Sequence, residues 1–314
     1  MNKKTLIIMG SLIVAVLAVF GITRYTGTAG VKKGETITIT HDLGQTEVKV
    51  NPERVVVFDF GVLDGLDALD IDIIGTAKSS KIPEFLSKYK DEKYLDLGDL
   101  KEPNMEKIFE AKPDLIIISG RMEGYYEELN KIAPTIYMPL DNTDYMASFE
   151  KNMKTLGQIF NKEKEVEKEL KVVKGEVEKV KEKATEKGLN ALITLANDGA
   201  FSIYGEGSRF GIIHGAFGIE AIDKTIETST HGQKASFEYV VEKNPDYIFV
   251  VDRGAVVGGK TSAKSLFDNE LIKKTEAYKN GRIVYLDAQV WYTANGGFNS
   301  TKMMVDEIMK ALEI

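Results

Sequence analysis

The segment KPDLIIISGR, residues 112–121, returns as NPDYIFVVDR at residues 244–253. Pro-Asp, a β-rich apolar run and a terminal arginine recur 132 positions apart. The match extends upstream, where NMEKIFEA and SFEYVVEK keep Met105/Phe237, Glu106/Glu238 and Ile108/Val240 in one register. A helix followed by a buried strand, repeated at that distance, predicts two lobes of related architecture facing one another. With 314 residues the chain is long enough for each lobe to bury its own core.

The text on either side of the repeat fits this division. Up to Tyr137, short apolar runs (TITITH, RVVVFDF, DIIGTA, DLIIIS, PTIYMPLD) alternate with helical stretches, one of them predicted over residues 63–69. After Gly188 the alternation resumes with NALITLAN, FSIYG, a helix near 212–217, EYVVEK, DYIFVVD and RIVYLDA, and a final helix is predicted over 299–312. The stretch between turns to lysine and glutamate, with Val166, Leu170, Val173, Val177 and Val180 at steps of four and three. That spacing predicts one long amphipathic helix. A short coiled-coil arm is the alternative, but the seam covers little more than two heptads. The expected fold is therefore α/β: two Rossmann-like lobes, 34–147 and 189–314, joined by one long helix over 148–188, with a ligand cleft between the lobes. A single helical link resists wide hinging, so modest closure is expected.

Residues 1–33 form a separate region. Lys3 and Lys4 precede a mostly apolar, uncharged run over 6–22, as in an export signal or short membrane anchor. Ala29, preceded by Gly27, offers a small-residue cleavage site, so a tether and a cleaved signal both stay open. Either places the folded part outside the cytoplasm. Lacking cysteine, the chain has no disulfide, thiolate metal site, thiol nucleophile or lipid attachment through cysteine. The first 33 residues hold five basic side chains and no acid, leaving 36 basic against 48 acidic in the remainder. That acidic balance argues against a nucleic-acid partner.

Only six arginines stand against 35 lysines, so arginine placement is informative. Arg121 and Arg253 each follow a buried strand, where open α/β sheets present ligand crevices. Arg209 sits in GEGSRFGIIHGAFG, also after a strand. A helix cap or an acidic partner is the plain alternative for any one of them. Three guanidinium groups in one cleft would suit a polyanionic, aromatic ligand, because they stay charged and stack on rings. His41 and His214 read as packing or surface residues, whereas His231, in the polar loop TSTHGQKAS, is able to reach the same strand-end face or to remain a solvated loop residue. In VWYTANGGF, read as a loop, Trp291 is assigned to the core and Tyr292 to the cleft, and a phenolate oxygen is a hard donor suited to ferric iron. No HExxH, GxSxG or P-loop signature appears, which leaves an enzyme without a nucleophile and base. Histidines are too few for a zinc or manganese uptake site.

The predicted lobes, linking helix and motifs resemble the substrate-binding proteins of bacterial ABC importers for iron siderophores, most of all the binders of ferric catecholates of the enterobactin and petrobactin type. The likeness runs over about residues 36–314. It implies that SGR with Arg121, GSRFG with Arg209 and VDRG with Arg253 line the cleft of an anionic ligand. It also implies that His231 of STHG and Tyr292 of VWYT complete the coordination of iron when the siderophore supplies only four donors. Glu106 and Glu238 match the paired glutamates that dock on the membrane permease. The ligand would then be a ferric siderophore complex (Fe3+), with no catalytic cofactor, no catalysis and a monomeric protein. Many relatives carry a lipid-anchored cysteine that this chain lacks. Other ligands for the same fold, namely haem, a cobalamin or a hydroxamate siderophore, stay open at this point, as does an extracytoplasmic hydrolase.

Overall fold

The structure, a computed structural model, describes residues 35–313. The apolar run over 6–22 and the cleavage site at Ala29 lie outside the described residues. No helix among those described is long and apolar enough to cross a membrane.

The chain enters through an antiparallel hairpin, β1 (Thr36–His41) and β2 (Gly44–Lys49). The first lobe then builds an all-parallel sheet from β3 (Val55–Val57), β4 (Gly75–Thr76), β5 (Leu95–Asp96), β6 (Leu115–Ile118) and β7 (Thr135–Tyr137). Their spatial order is β5-β4-β3-β6-β7, with a topological switch between β3 and β6. The second lobe uses β8 (Asn190–Asn197), β9 (Ala200–Tyr204), β10 (Glu220–Ala221), β11 (Gln233–Lys234), β12 (Tyr247–Asp252) and β13 (Ile283–Leu286). Here the order is β11-β9-β8-β12-β13, with β10 also beside β8. This sheet is mixed: β8, β12 and β13 run parallel, while β9 is antiparallel to β8 and β11 to β9.

Eight helices matter for the site: α1 (Phe60–Ala68), α2 (Met105–Ala111), α3 (Tyr145–Phe160), α4 (Glu163–Lys187), α5 (Phe237–Lys243), α6 (Arg253–Val257), α7 (Ala288–Thr293) and α8 (Phe298–Leu312). The repeat survives in detail. Asn104 and Ser236 cap α2 and α5 by accepting from the backbone N–H three residues on, and Lys112 and Asn244 end them in the left-handed conformation. The repeated aspartate has a structural task. Asp114 accepts from the backbone N–H groups of Glu53 and Arg54, and Asp246 accepts from that of Asn190, so each fastens the strand that runs beside its own.

Two helix boundaries differ from expectation in ways that matter. The single helix expected over 148–188 is two, because Asn161 turns into the left-handed region (φ 51°) and closes α3 before α4 begins. The first belongs with the first lobe, where Asn152 donates to the Pro139 carbonyl. The second carries the anticipated seam: Val166, Leu170, Val173, Val177 and Val180 are all buried, with Ala184 added. Each buried valine or leucine contributes roughly 1.5–3 kcal/mol, against about 0–1 for an exposed ion pair, so the seam rather than the Lys/Glu exterior holds α4 in place.

α4 is also not the only strut. α8 packs along it, with Lys302 paired to Glu169 at 2.7 Å, and reaches both lobes. At one end Phe298 meets Phe149 edge-on at 5.6 Å, and at the other Tyr247 donates to the Ala311 carbonyl. Two helices side by side strengthen the expectation of limited hinging.

The final helix starts at Phe298, one residue before the expected start. The early helix begins at Phe60 rather than 63, since Asp59 caps it by accepting from the N–H groups of Gly61 and Val62.

Candidate functional site

Strand ends place the site. In the first lobe β3 and β6 lie side by side at the topological switch, so Asp59 and Ser119, each two residues beyond a paired position, are neighbours, and the Ser119 hydroxyl donates to Asp59 at 2.7 Å. Arg121 follows on the next turn. In the second lobe β8 and β12 are the adjacent pair, and Arg253, opening α6, donates from Nη1 to the Asn197 side chain at 2.7 Å. These two strand ends face one cavity of about 730 Å³, whose lining includes Arg121, Arg209, Arg253, His231 and Tyr292.

Tyr292 is the point on which the arginines converge. Its carbonyl accepts from Nη2 of Arg121 at 2.7 Å and from Nη2 of Arg209 at 3.1 Å. Its hydroxyl accepts from Nε of Arg253 at 3.0 Å. The guanidinium carbons stand 5.7, 4.1 and 6.0 Å from the ring centroid for Arg121, Arg209 and Arg253. These partners are a carbonyl, a phenol and an amide, all neutral, so each five-donor fork retains N–H groups and its full charge for something else. Burial pushes the Arg209 guanidinium below its ordinary range, and the charges of Arg121 and Arg253 add to that. Burial also pushes the Tyr292 phenol up, but the hydrogen bond from Arg253 and the three positive charges outweigh it and hold the phenol below its ordinary value. A lowered phenol is readier to act as a phenolate donor.

The other described arginines are structural. Arg54 donates to the carbonyls of Lys112 (2.9 Å) and Ala111 at the end of α2, and Arg282 stacks on Tyr247 at 5.2 Å. Arg54 thus serves as a helix cap, while Arg282 packs on an aromatic ring.

Tyr292 lies on a helix, not in a loop. Asp287 caps α7 by accepting from Gln289 and Val290, and the helix ends before the glycine pair. Helical spacing sends the two adjacent aromatics to different sides. Trp291 is fully buried, with its indole N–H bonded to Glu307, while Tyr292 borders the cavity. The stretch after Tyr292 is held by the first lobe: a Cβ on Gly61 would fall 2.1 Å from the Asn295 carbonyl oxygen, so only glycine lets α1 approach so closely.

His231 is exposed on the loop leading into β11, and its loop is tied to that of Arg209. The Ser229 N–H donates to the Ser208 hydroxyl at 3.0 Å, and the Ser229 hydroxyl accepts from the N–H groups of His231 and Gly232 at 3.1 Å each. His41 and His214 are buried, as packing residues should be, and burial lowers both imidazoles.

Glu106 and Glu238 both stand exposed in the first turn of the equivalent helices α2 and α5, away from the cavity lining. Asp59 and Asn197 also line the cavity; no motif marks them, although both lie at strand ends, where the rule applied to the arginines also points. Burial pushes the Asp59 carboxyl up against the opposing pull of Ser119, the α1 backbone and Arg121.

A sequence profile of the family described as "Periplasmic binding protein" matches residues 55–290. The chain belongs to that family. Its members are binding proteins, which removes the hydrolase alternative. Over 316 residues the chain is 42% identical to the "Petrobactin-binding protein YclQ" of Bacillus subtilis (strain 168), with 100% of each chain covered. The crystal structure of that protein superimposes with a TM-score of 0.87, covering 89% of this chain and 99% of its own. The "Ferric-anguibactin-binding protein FatB" of Vibrio anguillarum is 36% identical over 284 residues, 88% of each chain. The "Periplasmic Catecholate-Siderophore Binding Protein VctP" of Vibrio cholerae superimposes with a TM-score of 0.84 at 37% identity, covering 88% of this chain and all of its own. The two-lobed α/β architecture expected from the repeat is thus that of the family's solved structures.

Proposed function

We propose that the chain is an extracytoplasmic binding protein that captures a ferric catecholate siderophore between its lobes, 34–147 and 189–314, and delivers it to an ABC permease for iron uptake. The observation that carries the reading is the meeting of Arg121 from one lobe with Arg209 and Arg253 from the other at Tyr292. A ferric tris-catecholate is trianionic and presents three aromatic faces. Guanidinium groups answer both features, by charge-assisted hydrogen bonds and by stacking, where a neutral hydroxamate complex would leave three charges uncompensated. Relatives named for petrobactin, anguibactin and a catecholate siderophore support the same ligand class.

Iron in this account is cargo, held mainly by the siderophore. When only four donors are supplied, His231 and Tyr292 fill the two open positions, and the lowered phenol of Tyr292 favours that role. Glu106 and Glu238 dock on the permease, one from each lobe, and the protein works as a monomer with no nucleic-acid partner. Residues 6–22 either tether it to the membrane or are removed on export.

Trp291, the chain's single tryptophan, immediately precedes Tyr292 and reports binding. Titration with a panel of ferric siderophores should quench it with catecholates and leave it unaffected by hydroxamates. Equal or stronger binding of hydroxamates would refute the ligand class.

A further inference from the structure

Tyr204, the last residue of β9, is buried to 1% exposure outside the set of residues that border the cavity, yet it touches both loops that do. Its hydroxyl donates to the carbonyl of His231 at 3.0 Å. Its ring lies under the next residue, Gly232, where a Cβ would come within 2.6 Å of the ring carbon bearing the hydroxyl, and Gly232 is itself left-handed at φ 71°. The other edge of the ring meets Phe210 at 4.9 Å in a T-shaped contact, and Phe210 directly follows Arg209.

The backbone completes the arrangement. Gln233 pairs with Ile203 across β11 and β9, so the loop carrying His231 returns onto the strand that ends at Tyr204. The N–H of Arg209 points to the Ser229 carbonyl at 3.4 Å, and the His231 N–H donates to the Ser229 hydroxyl. His231 is thus placed through its main chain, by a carbonyl fixed on Tyr204 and an N–H fixed on Ser229. The same phenol rests against the loop that carries Arg209.

We propose that Tyr204 is the positioning residue for His231 as an iron ligand, and so sets how well the protein holds siderophores that leave two coordination positions open. This rests on the reading of His231 as a ligand. Six-donor complexes do not need the imidazole and are indifferent to Tyr204 except through gross packing. Four-donor complexes need its nitrogen at a coordination distance, and a loop freed from its carbonyl anchor supplies that geometry only part of the time.

The test compares Tyr204→Phe, His231→Ala and the double variant, with Ser229→Ala as a second perturbation that leaves the buried ring intact. The probes are the ferric complex of a linear bis-catecholamide, with four donors, and that of a tris-catecholamide, with six. Trp291 quenching gives affinity, and the visible charge-transfer band reports the iron's donor set. Tyr204→Phe should weaken the four-donor probe about three- to tenfold, the range one hydrogen bond spans, shift its band, and leave the six-donor probe unchanged. Ser229→Ala should act in the same direction. In the double variant the loss should equal that of His231→Ala alone. Equal weakening of both probes, or losses that add in the double variant, would overturn the proposal. If His231→Ala alone changes neither affinity nor band for the four-donor probe, the ligand reading of His231 has failed, and the positioning role falls with it.

Discussion

Arg253→Met removes one of the three charges and the hydrogen bond that Nε donates to the Tyr292 hydroxyl, and its consequence follows from the geometry. Arg253 stands 6.0 Å from the ring centroid and spends two N–H groups on neutral partners. A unit negative charge at that distance interacts by about 3 kcal/mol at an effective dielectric of 20. Arg253 is half-buried, so solvent screening cuts this by about half, to roughly 1.5 kcal/mol or about tenfold in affinity for each ligand charge brought that close. A ferric tris-catecholate should therefore bind about 10- to 100-fold more weakly. Arg253→Lys, which keeps the charge but loses the fork, should fall between.

Arg253→Met carries a second signature. Arg253 supplies the largest of the pulls that lower the Tyr292 phenol, so without it the phenol rises. Ligation of iron requires the phenolate, hence affinity for a four-donor complex falls as pH drops through the phenol's pKa, and in Arg253→Met that fall moves to higher pH. Fluorescence titration from pH 6 to above the ordinary phenol value of about 10, at two salt concentrations, measures both effects. Arg282→Met, which strips a guanidinium from Tyr247 instead, should leave affinity unchanged. A loss under about threefold for Arg253→Met with an unaltered pH profile would refute the electrostatic account.

Three further outcomes are expected. Replacing His231 and Tyr292 together by alanine should weaken four-donor complexes far more than six-donor ones, and equal losses would remove both as iron ligands. Glu106→Ala with Glu238→Ala should leave siderophore affinity intact while reducing stimulation of the reconstituted permease's ATPase; unchanged stimulation would remove them from docking. The third concerns the joint between α1 and α8. Asp64 is fully buried there and accepts from the Ser300 N–H at 2.7 Å and the Asn299 amide at 2.8 Å, and burial raises its carboxyl to about 6. A folded-state pKa above the unfolded value means the folded form holds the proton more tightly, so this group favours folding below about pH 4 and loses that contribution, about 3 kcal/mol at most, as pH rises through 6. Thermal unfolding at pH 5 and 7.5 should show a smaller pH difference in Asp64→Asn than in the parent chain; an identical difference would show that Asp64 does not titrate in this range.

The repeat made the two lobes legible because duplication preserves residue types at fixed offsets even where local propensity is ambiguous. Its caps, its strand-tying aspartates and its two arginines all fall on the same 132-residue spacing. What escaped is local. The break at Asn161 sits inside a Lys/Glu text whose composition favours helix on both sides, and only the tolerance of asparagine for the left-handed region signals it. The segment bearing Tyr292 reads as a loop because it is short and ends on a glycine pair, although Asp287 before it and the glycines after it are helix start and stop signals. The role of α8 as a second strut depends on contacts between elements far apart in sequence, which periodicity does not report. At the cleft, the arginines stood out because they are scarce, whereas Asp59 and Asn197 are common residue types distinguished only by their place at strand ends.

We propose that one anionic ferric ligand is held where the two lobes bring Arg121, Arg209 and Arg253 together. A crystal structure of the complex with a ferric catecholate tests it most directly. Catecholate oxygens should lie within hydrogen-bond distance of all three guanidinium groups, with rings stacked against them in the cavity beside Tyr292. A ligand seated elsewhere, or one touched by arginines of a single lobe, would contradict it.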